Sequence, residues 1–250
     1  MDQQWLRIAH RGASGTSPEL TRAAFERALS FGVDMIELDV QFSRDLELVV
    51  IHDHELHRTT SGRGAVRELD FAELAALDAG SWFATEFAGE RVLHLDEVIR
   101  LVGGRARLNV EVKSPSSDWP EMASRLVRVL RAHDLVAATV VSCFDPGALF
   151  AVRARASEVR LGVLWQRTDF AEAWDLAAAL GAVSIHPHWM LVSPEIVQAA
   201  HRRNLQVLVW TVNEVEAMQC LGQYGVDGIM SDFPERFDKI MDRRGGGAPP

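Results

Sequence analysis

The sequence predicts a (β/α)8 TIM barrel with a small insertion after its second strand, and three observations predict it. Short apolar segments that read as strands alternate with helical segments, giving about eight strand–helix units in about 240 residues. Polar residues close many of those strands instead of gathering at one crevice, as the shared mouth of a barrel requires. No G-x-G-x-x-G follows the first strand, which weakens the doubly wound open sheet as an alternative.

Taken in order, Trp5 to Ala9 reads as a strand that stops at His10-Arg11-Gly12. Ser17-Pro18-Glu19 reads as an N-cap, a first-turn proline and a first-turn acid, predicting a helix from Pro18 to Phe31 with Gly32 just past its end. The next stretch, DMIELDVQFSRDLELVVIHD from Asp34 to Asp53, organises the rest. Alternation along a strand puts Glu37 and Asp39 on one face and Ile36, Leu38 and Val40 on the other. Ser43 to Glu47 is too short for a parallel crossover, so LELVVIH folds back as a hairpin. With the turn centred between Asp45 and Leu46, His52 faces Asp39. A surface hairpin with scattered charge is the alternative.

Residues 54–93 are turn-rich, with a short helix over Asp70 to Leu77, and read as the insertion. Beyond them come a helix over Asp96 to Val102 and a strand over Arg107 to Val112 that sets Asn109, Glu111 and Lys113 on one face. Helices near Trp119 to His133, Pro146 to Ala156, Phe170 to Leu180, Pro194 to Arg203 and Glu214 to Leu221 then alternate with the strands TVVSCF, VRLGVLW, AVSIHP, LQVLVWTV and VDGIMSD. A last helix runs from Pro234 to Met241. The chain is thus one TIM-barrel domain over residues 1–242 with a Gly/Pro-rich, disordered tail at 243–250.

Composition narrows the function. The chain has 250 residues, 48% hydrophobic and 24% charged, with a net charge of −9. That balance suits a soluble globular domain and argues against nucleic acid or an anionic membrane surface as partner. No signal peptide or membrane span is legible, which points to the cytoplasm and to no stable membrane association. Oligomeric state is not legible. Cys143 and Cys220 match no metal or redox motif and read as reduced packing residues.

In a barrel, His10, Glu37, Asp39, Glu111, Lys113, His186 and Trp210 all fall at the C-terminal strand ends and so at one mouth. Three carboxylates converging there repel one another, and a divalent cation resolves the repulsion; an all-oxygen ligand set favours Mg²⁺ or Ca²⁺. A salt-bridge network of Arg11 and Lys113 with the acids is the alternative that needs no metal. His10 and His52 flank the cluster, and imidazoles can accept a proton on one side of a reaction and donate one on the other. Arg11 and Lys113 suit a phosphodiester's non-bridging oxygens. Together these groups suggest phosphate-ester cleavage.

The segments IAHRG, the following PE, IELDVQ, VVIHD, RTTSGRG, LDAGSWF, LNVEVK and VWTVN, in this order, resemble the glycerophosphodiester phosphodiesterase family from Ile8 to Pro234. The resemblance implies a metal held by Glu37, Asp39 and Glu111, His10 and His52 as the acid–base pair, and Arg11 and Lys113 near the phosphate. It implies further that Glu19 contributes to the same site and that His186 and Trp210 lie near the glycerol pocket. The implied substrate is a small glycerophosphodiester, cleaved to glycerol 3-phosphate and an alcohol. Lysophospholipase D action, a lyase route through a cyclic phosphate, and a non-catalytic phosphodiester-binding barrel remain as alternatives. Leu20 stands where the family usually has asparagine, Leu46 where its hairpin commonly has glycine, and His94 where proline is common, the last expected as surface variation. His188 is assigned to neither site nor surface. Among the insertion's aromatics, Trp82, Phe83 and Phe87 are expected to pack it onto the barrel, with an apolar rim at the mouth as the alternative.

Overall fold

The computed structural model describes residues 5–113 and 116–245. Eight parallel strands form the barrel: β1 (Leu6–His10), β2 (Met35–Phe42), β5 (Arg107–Val112), β6 (Val140–Cys143), β7 (Arg160–Trp165), β8 (Ser184–Pro187), β9 (Gln206–Val209) and β10 (Gly228–Ser231). Their order is β1-β10-β9-β8-β7-β6-β5-β2, and pairing of β1 with β2 closes the ring. Helices α1 (Arg22–Ser30), α3 (Leu95–Val102), α4 (Trp119–Ala132), α5 (Pro146–Arg155), α6 (Ala171–Leu180), α7 (Pro194–His201), α8 (Val215–Tyr224) and α9 (Arg236–Gly245) follow the strands in turn. The expected (β/α)8 barrel is therefore the fold. Because α9 reaches Gly245, the expected tail overlaps it at 243–245 and otherwise lies outside the described residues.

Two apolar layers hold the barrel. Ile8, Met35, Val140, Leu208 and Met230 plug its interior. A larger core, including Ile36, Leu38, Val110, Leu126 and Ile229, fills the space between strands and helices. Full burial of each such side chain contributes about 1.5–3 kcal/mol. Above the plug the interior turns polar. Asn109, Ser142, Ser184 and His186 are all buried there, and Asn109 Nδ2 donates to Ser142 Oγ at 2.9 Å.

Around the second strand the structure departs from expectation in instructive ways. Helix α1 starts four residues later than predicted, capped by Thr21 and not Ser17, whose N–H is taken by Ala13 O at 3.0 Å. Residues 17–20 instead run as a loop at the mouth, with Leu20 at φ +60° and its N–H on Arg11 O at 3.1 Å. A left-handed residue favours asparagine or glycine over leucine. Leu20 occupies the position nonetheless and is buried.

The hairpin pairs β2 with the short β3 (Leu48–Val50), and its partners sum to 90 where 91 was expected: Val40 faces Val50 and Phe42 faces Leu48. An odd loop is the cause. Ser43 and Glu47 face each other across three residues, and Leu46 takes the left-handed conformation (φ +62°) that closes such loops. The ladder ends before His52, so it does not pair His52 with Asp39.

The insertion packs a small core of its own, Leu56, Val66, Leu74 and Ala79, against Val49, Ile51 and Val92. It includes the one-turn α2 (Phe71–Leu74) and ends in β4 (Leu93–His94), antiparallel to β3. Trp82, Phe83 and Phe87 neither join that core nor line the mouth. They form an edge-to-face series, with centroids 5.6 Å apart, in which Trp82 is exposed and Phe83 and Phe87 are half-buried. His94 is not surface variation: it caps α3, accepting from Asp96 N–H at 3.2 Å, and its Nε2 meets Glu47 at 3.0 Å. Cys143 is buried as expected, whereas Cys220 is exposed.

Candidate active site

Strand register assembles the site. His10 on β1 lies beside Glu37 on β2, Glu37 beside Asn109 on β5, and one step along Asp39 lies beside Glu111. Alternation then turns Glu37, Asp39 and Glu111 to the same side, where one oxygen from each falls within 4.8 Å of the others. All three residues are buried.

Arg11 and Lys113 offset part of this charge. Arg11 Nε lies 3.3 Å from Asp39 Oδ2 and its Nη1 3.0 Å from Glu19 Oε1, while Lys113 Nζ lies 3.4 Å from Asp39 Oδ1 and pairs with Glu111. The left-handed backbone of Arg11 (φ +56°) also aims its N–H at Glu37 Oε2, 3.1 Å away. Gly12 follows, where a Cβ would sit 2.7 Å from the Ala24 carbonyl carbon, so the loop can lie against α1 only as glycine.

Three carboxylates against two cations leave a deficit of positive charge. Burial, then the neighbouring Asp39, pushes Glu111 up to about 7; burial with Asp39 and Glu111 raises Glu37 well above the carboxylate range. Glu37 Oε1 is buried without a hydrogen bond, and Asp39 Oδ2 and Glu111 Oε1 have only the ion pairs to Arg11 and Lys113. An oxygen-preferring divalent cation fits these converging carboxylate oxygens and would keep all three acids ionised.

Both expected histidines reach the same cavity, of about 210 Å³, whose wall also includes Arg11, Lys113, His186 and Trp210. His10 Nδ1 lies 2.7 Å from Asp232 Oδ1, and its Nε2 lies 3.9 Å from Glu37 Oε2. His52 Nδ1 lies 2.6 Å from Asp53 Oδ1. Each imidazole thus ties Nδ1 to a carboxylate and keeps Nε2 for the cavity. Burial, followed by the charges of Arg11 and Lys113, lowers the His52 pKa despite the opposing pull of Asp39, favouring its neutral form.

Opposite β2 in the ring, His186 is fully buried, and burial holds its imidazole neutral, down to about 3. Its Nε2 meets Ser184 Oγ at 2.8 Å, in space that exists because residue 162 is glycine: a Cβ there would come within 2.4 Å of that nitrogen. Trp210 Nε1–H donates to His186 O at 2.7 Å, and its ring meets Phe144 and His188 edge-on at 5.5 and 5.3 Å. His188 is a half-buried rim residue outside the cavity wall. Glu19 is likewise outside that wall and touches the site through Arg11.

The sequence reading passed over Asp232, Asp53 and Arg58 as individual residues. Asp232 could have been found, since it follows the last strand at the same end as the other acids. Burial pushes its carboxyl up, but the hydrogen bond from His10, with those from Asn213 and Ser14, holds it at about 2 against an ordinary 3.8. A depressed acid stabilises the fold fully above its unfolded value and loses that contribution as pH falls through the folded one. Asp232→Asn should therefore flatten the pH dependence of unfolding free energy by roughly 2 kcal/mol between about pH 4 and pH 2. Urea titrations of both proteins across that range measure it, and identical slopes would contradict the pairing.

A closed barrel whose mouth gathers three buried acids, two carboxylate-backed histidines and two cations has the make-up of an enzyme acting on anionic esters. The chain belongs to the glycerophosphoryl diester phosphodiesterase family, whose profile it matches over residues 10–236. It is 38% identical over 242 residues to a glycerophosphodiester phosphodiesterase of Caldanaerobacter subterraneus, covering 96% of this chain and 99% of that one. With a Bacillus subtilis glycerophosphodiester phosphodiesterase the identity is 32%, over 94% of this chain and 86% of the relative. Among solved structures, an Oleispira antarctica phosphodiesterase in complex with the product sn-glycerol-3-phosphate superposes with a TM-score of 0.89 at 31% identity, covering 94% and 96% of the two chains. Among the described residues no helix is long and apolar enough to cross a membrane.

Proposed function

We propose that the chain hydrolyses glycerophosphodiesters to glycerol 3-phosphate and an alcohol. In this reading Glu37, Asp39 and Glu111 hold one divalent cation, Mg²⁺ or Ca²⁺, and His10 and His52 form the general acid–base pair. The carrying observation is joint placement: two imidazoles with Nδ1 fixed by carboxylates keep Nε2 at a cavity whose wall includes Glu37 and Glu111 of the acid cluster. The bound product named for the Oleispira antarctica relative supports the substrate class.

When bound, the cation supplies Lewis-acid stabilisation of negative charge on phosphate oxygens. The protein's own groups do the rest. Arg11 and Lys113 orient the non-bridging oxygens. Neutral His52 suits proton abstraction from water, and His10, between Asp232 and Glu37, is placed to give a proton to the leaving alkoxide. His186 Nδ1, buried without a hydrogen bond, offers a partner for a glycerol hydroxyl, with Trp210 as an apolar wall.

Cation binding should also stabilise the fold. At 100 times its Kd a ligand contributes about 2.7 kcal/mol, so Tm should rise by roughly 5–10 °C in Mg²⁺ or Ca²⁺. Scanning calorimetry of the EDTA-treated protein, with and without cation, checks it. An unchanged Tm at saturating cation would count against the metal site.

Because the insertion's aromatic series does not line the cavity, it supplies no apolar wall there for an acyl chain. Choline, ethanolamine and glycerol head groups should be turned over with kcat/KM values close to one another, and lysophospholipids poorly. Comparing glycerophosphocholine with lysophosphatidylcholine below its micelle concentration tests this. A preference for the acylated substrate would overturn the substrate assignment and leave the mechanism standing.

A further inference from the structure

Arg58 belongs to the insertion, yet its guanidinium ties together two loops of the barrel mouth. Nη1 and Nη2 donate to Glu19 Oε2 and Oε1 at 2.9 and 2.8 Å. Nη2 also donates to Asp53 Oδ1 at 3.0 Å, and Nε pairs with Asp53 Oδ2. Each carboxylate then passes the contact inward. Asp53 Oδ1 takes His52 Nδ1 at 2.6 Å, and Glu19 Oε1 takes Arg11 Nη1 at 3.0 Å. Among the described residues, the Asp53 carboxylate is hydrogen-bonded by Arg58 and His52 alone, and that of Glu19 by Arg58 and Arg11 alone.

We propose that Arg58 is a positioning residue for this reaction: it fixes the Asp53 carboxylate, which in turn sets the tautomer and plane of the His52 imidazole. The inference rests on the acid–base role given to His52 above. A planar fork can grip two carboxylates at once, whereas an ammonium group offers only a point charge. Freed from that fork, Asp53 keeps only the His52 imidazole as a side-chain partner among the described residues, and carboxylate and ring can turn together. The Arg58 hydrogen bonds lower the pKa of Asp53, and against the opposing effect of burial Arg58 and Arg11 together lower that of Glu19, so both remain acceptors.

A purely structural clip between insertion and barrel would look the same in a static structure, so the test separates the two. The substrate is glycerophosphocholine with Mg²⁺ present, assayed below the Tm of every variant. Arg58→Ala should lower kcat roughly 10²-fold, the scale for a displaced catalytic group, with KM changed far less. Arg58→Lys should recover little of this. Millimolar guanidinium chloride, against sodium chloride at equal ionic strength, should restore part of the loss in Arg58→Ala and none in Arg58→Lys. In a His52→Ala background the same Arg58→Ala change should cost less than about twofold, because the imidazole it positions is gone. In proton NMR the downfield Nδ1–H resonance of His52, assigned by its loss in His52→Ala, should shift or broaden in Arg58→Ala.

Additive losses in the double variant, or a lowered Tm with kcat and the imidazole resonance unchanged, would overturn the proposal. Should His52→Ala itself leave kcat intact, the acid–base reading fails instead. The His52 resonance then still decides whether Arg58 sets the imidazole.

Discussion

Replacing His10 or His52 with alanine should lower kcat about 10²–10⁴-fold, the range for losing a general acid or base, and leave cation affinity nearly intact. The geometry separates these two effects. His52 Nδ1 is taken by Asp53 and His10 Nδ1 by Asp232, and neither imidazole belongs to the cluster of close-lying acid oxygens. On the proposed roles, alanine at either position should remove a proton carrier without removing a ligand. Single-turnover kinetics paired with calorimetric titration of Mg²⁺ into each variant reads both quantities. Weakened cation binding in the histidine variants to the same degree as in the acid variants would mean that the imidazoles are ligands.

The acid variants are expected to fail in the opposite order. Glu37→Gln, Asp39→Asn and Glu111→Gln keep side-chain volume but remove one of three carboxylates facing Arg11 and Lys113. Two negative charges against two positive ones leave no local excess to attract a dication. Affinity should fall by at least about 10²-fold, and activity at limiting cation should fall with it. Raising the cation concentration should recover part of the activity in these variants and none in His10→Ala or His52→Ala. Recovery in all five, or in none, would collapse the distinction between ligands and acid–base groups.

What the sequence made legible is what short periods and strand ends encode. The alternation of Glu37 and Asp39 along an apolar strand, and of Asn109, Glu111 and Lys113 along another, survives folding because side-chain direction in a strand is local. Barrel closure then brings those strands side by side, and the acid cluster follows. Quantities set by a single residue count were not legible. A three-residue loop in place of a two-residue turn moved the hairpin pairing by one, and His52 reaches the cavity from beyond the ladder instead of across from Asp39. The start of α1 moved for a different reason: Arg11 and Arg58 both hold Glu19, and residues 17–20 serve as loop while Thr21 caps the helix. The carboxylates behind the histidines come from opposite cases. Asp53 is adjacent to His52 in sequence, whereas Asp232 lies 222 residues from His10 and meets it only because β1 and β10 are neighbours in the closed ring.

The most direct test of a metal-dependent glycerophosphodiester hydrolase is release of glycerol 3-phosphate from glycerophosphocholine by the full chain. It is assayed in Mg²⁺ or Ca²⁺, after EDTA, and again after the cation is restored. Turnover should appear with cation, vanish with EDTA and return on restoration. Equal turnover in EDTA would contradict the role given to Glu37, Asp39 and Glu111, and no turnover across several head groups and both cations, with a glycerophosphodiester still bound, would make this barrel a binding protein.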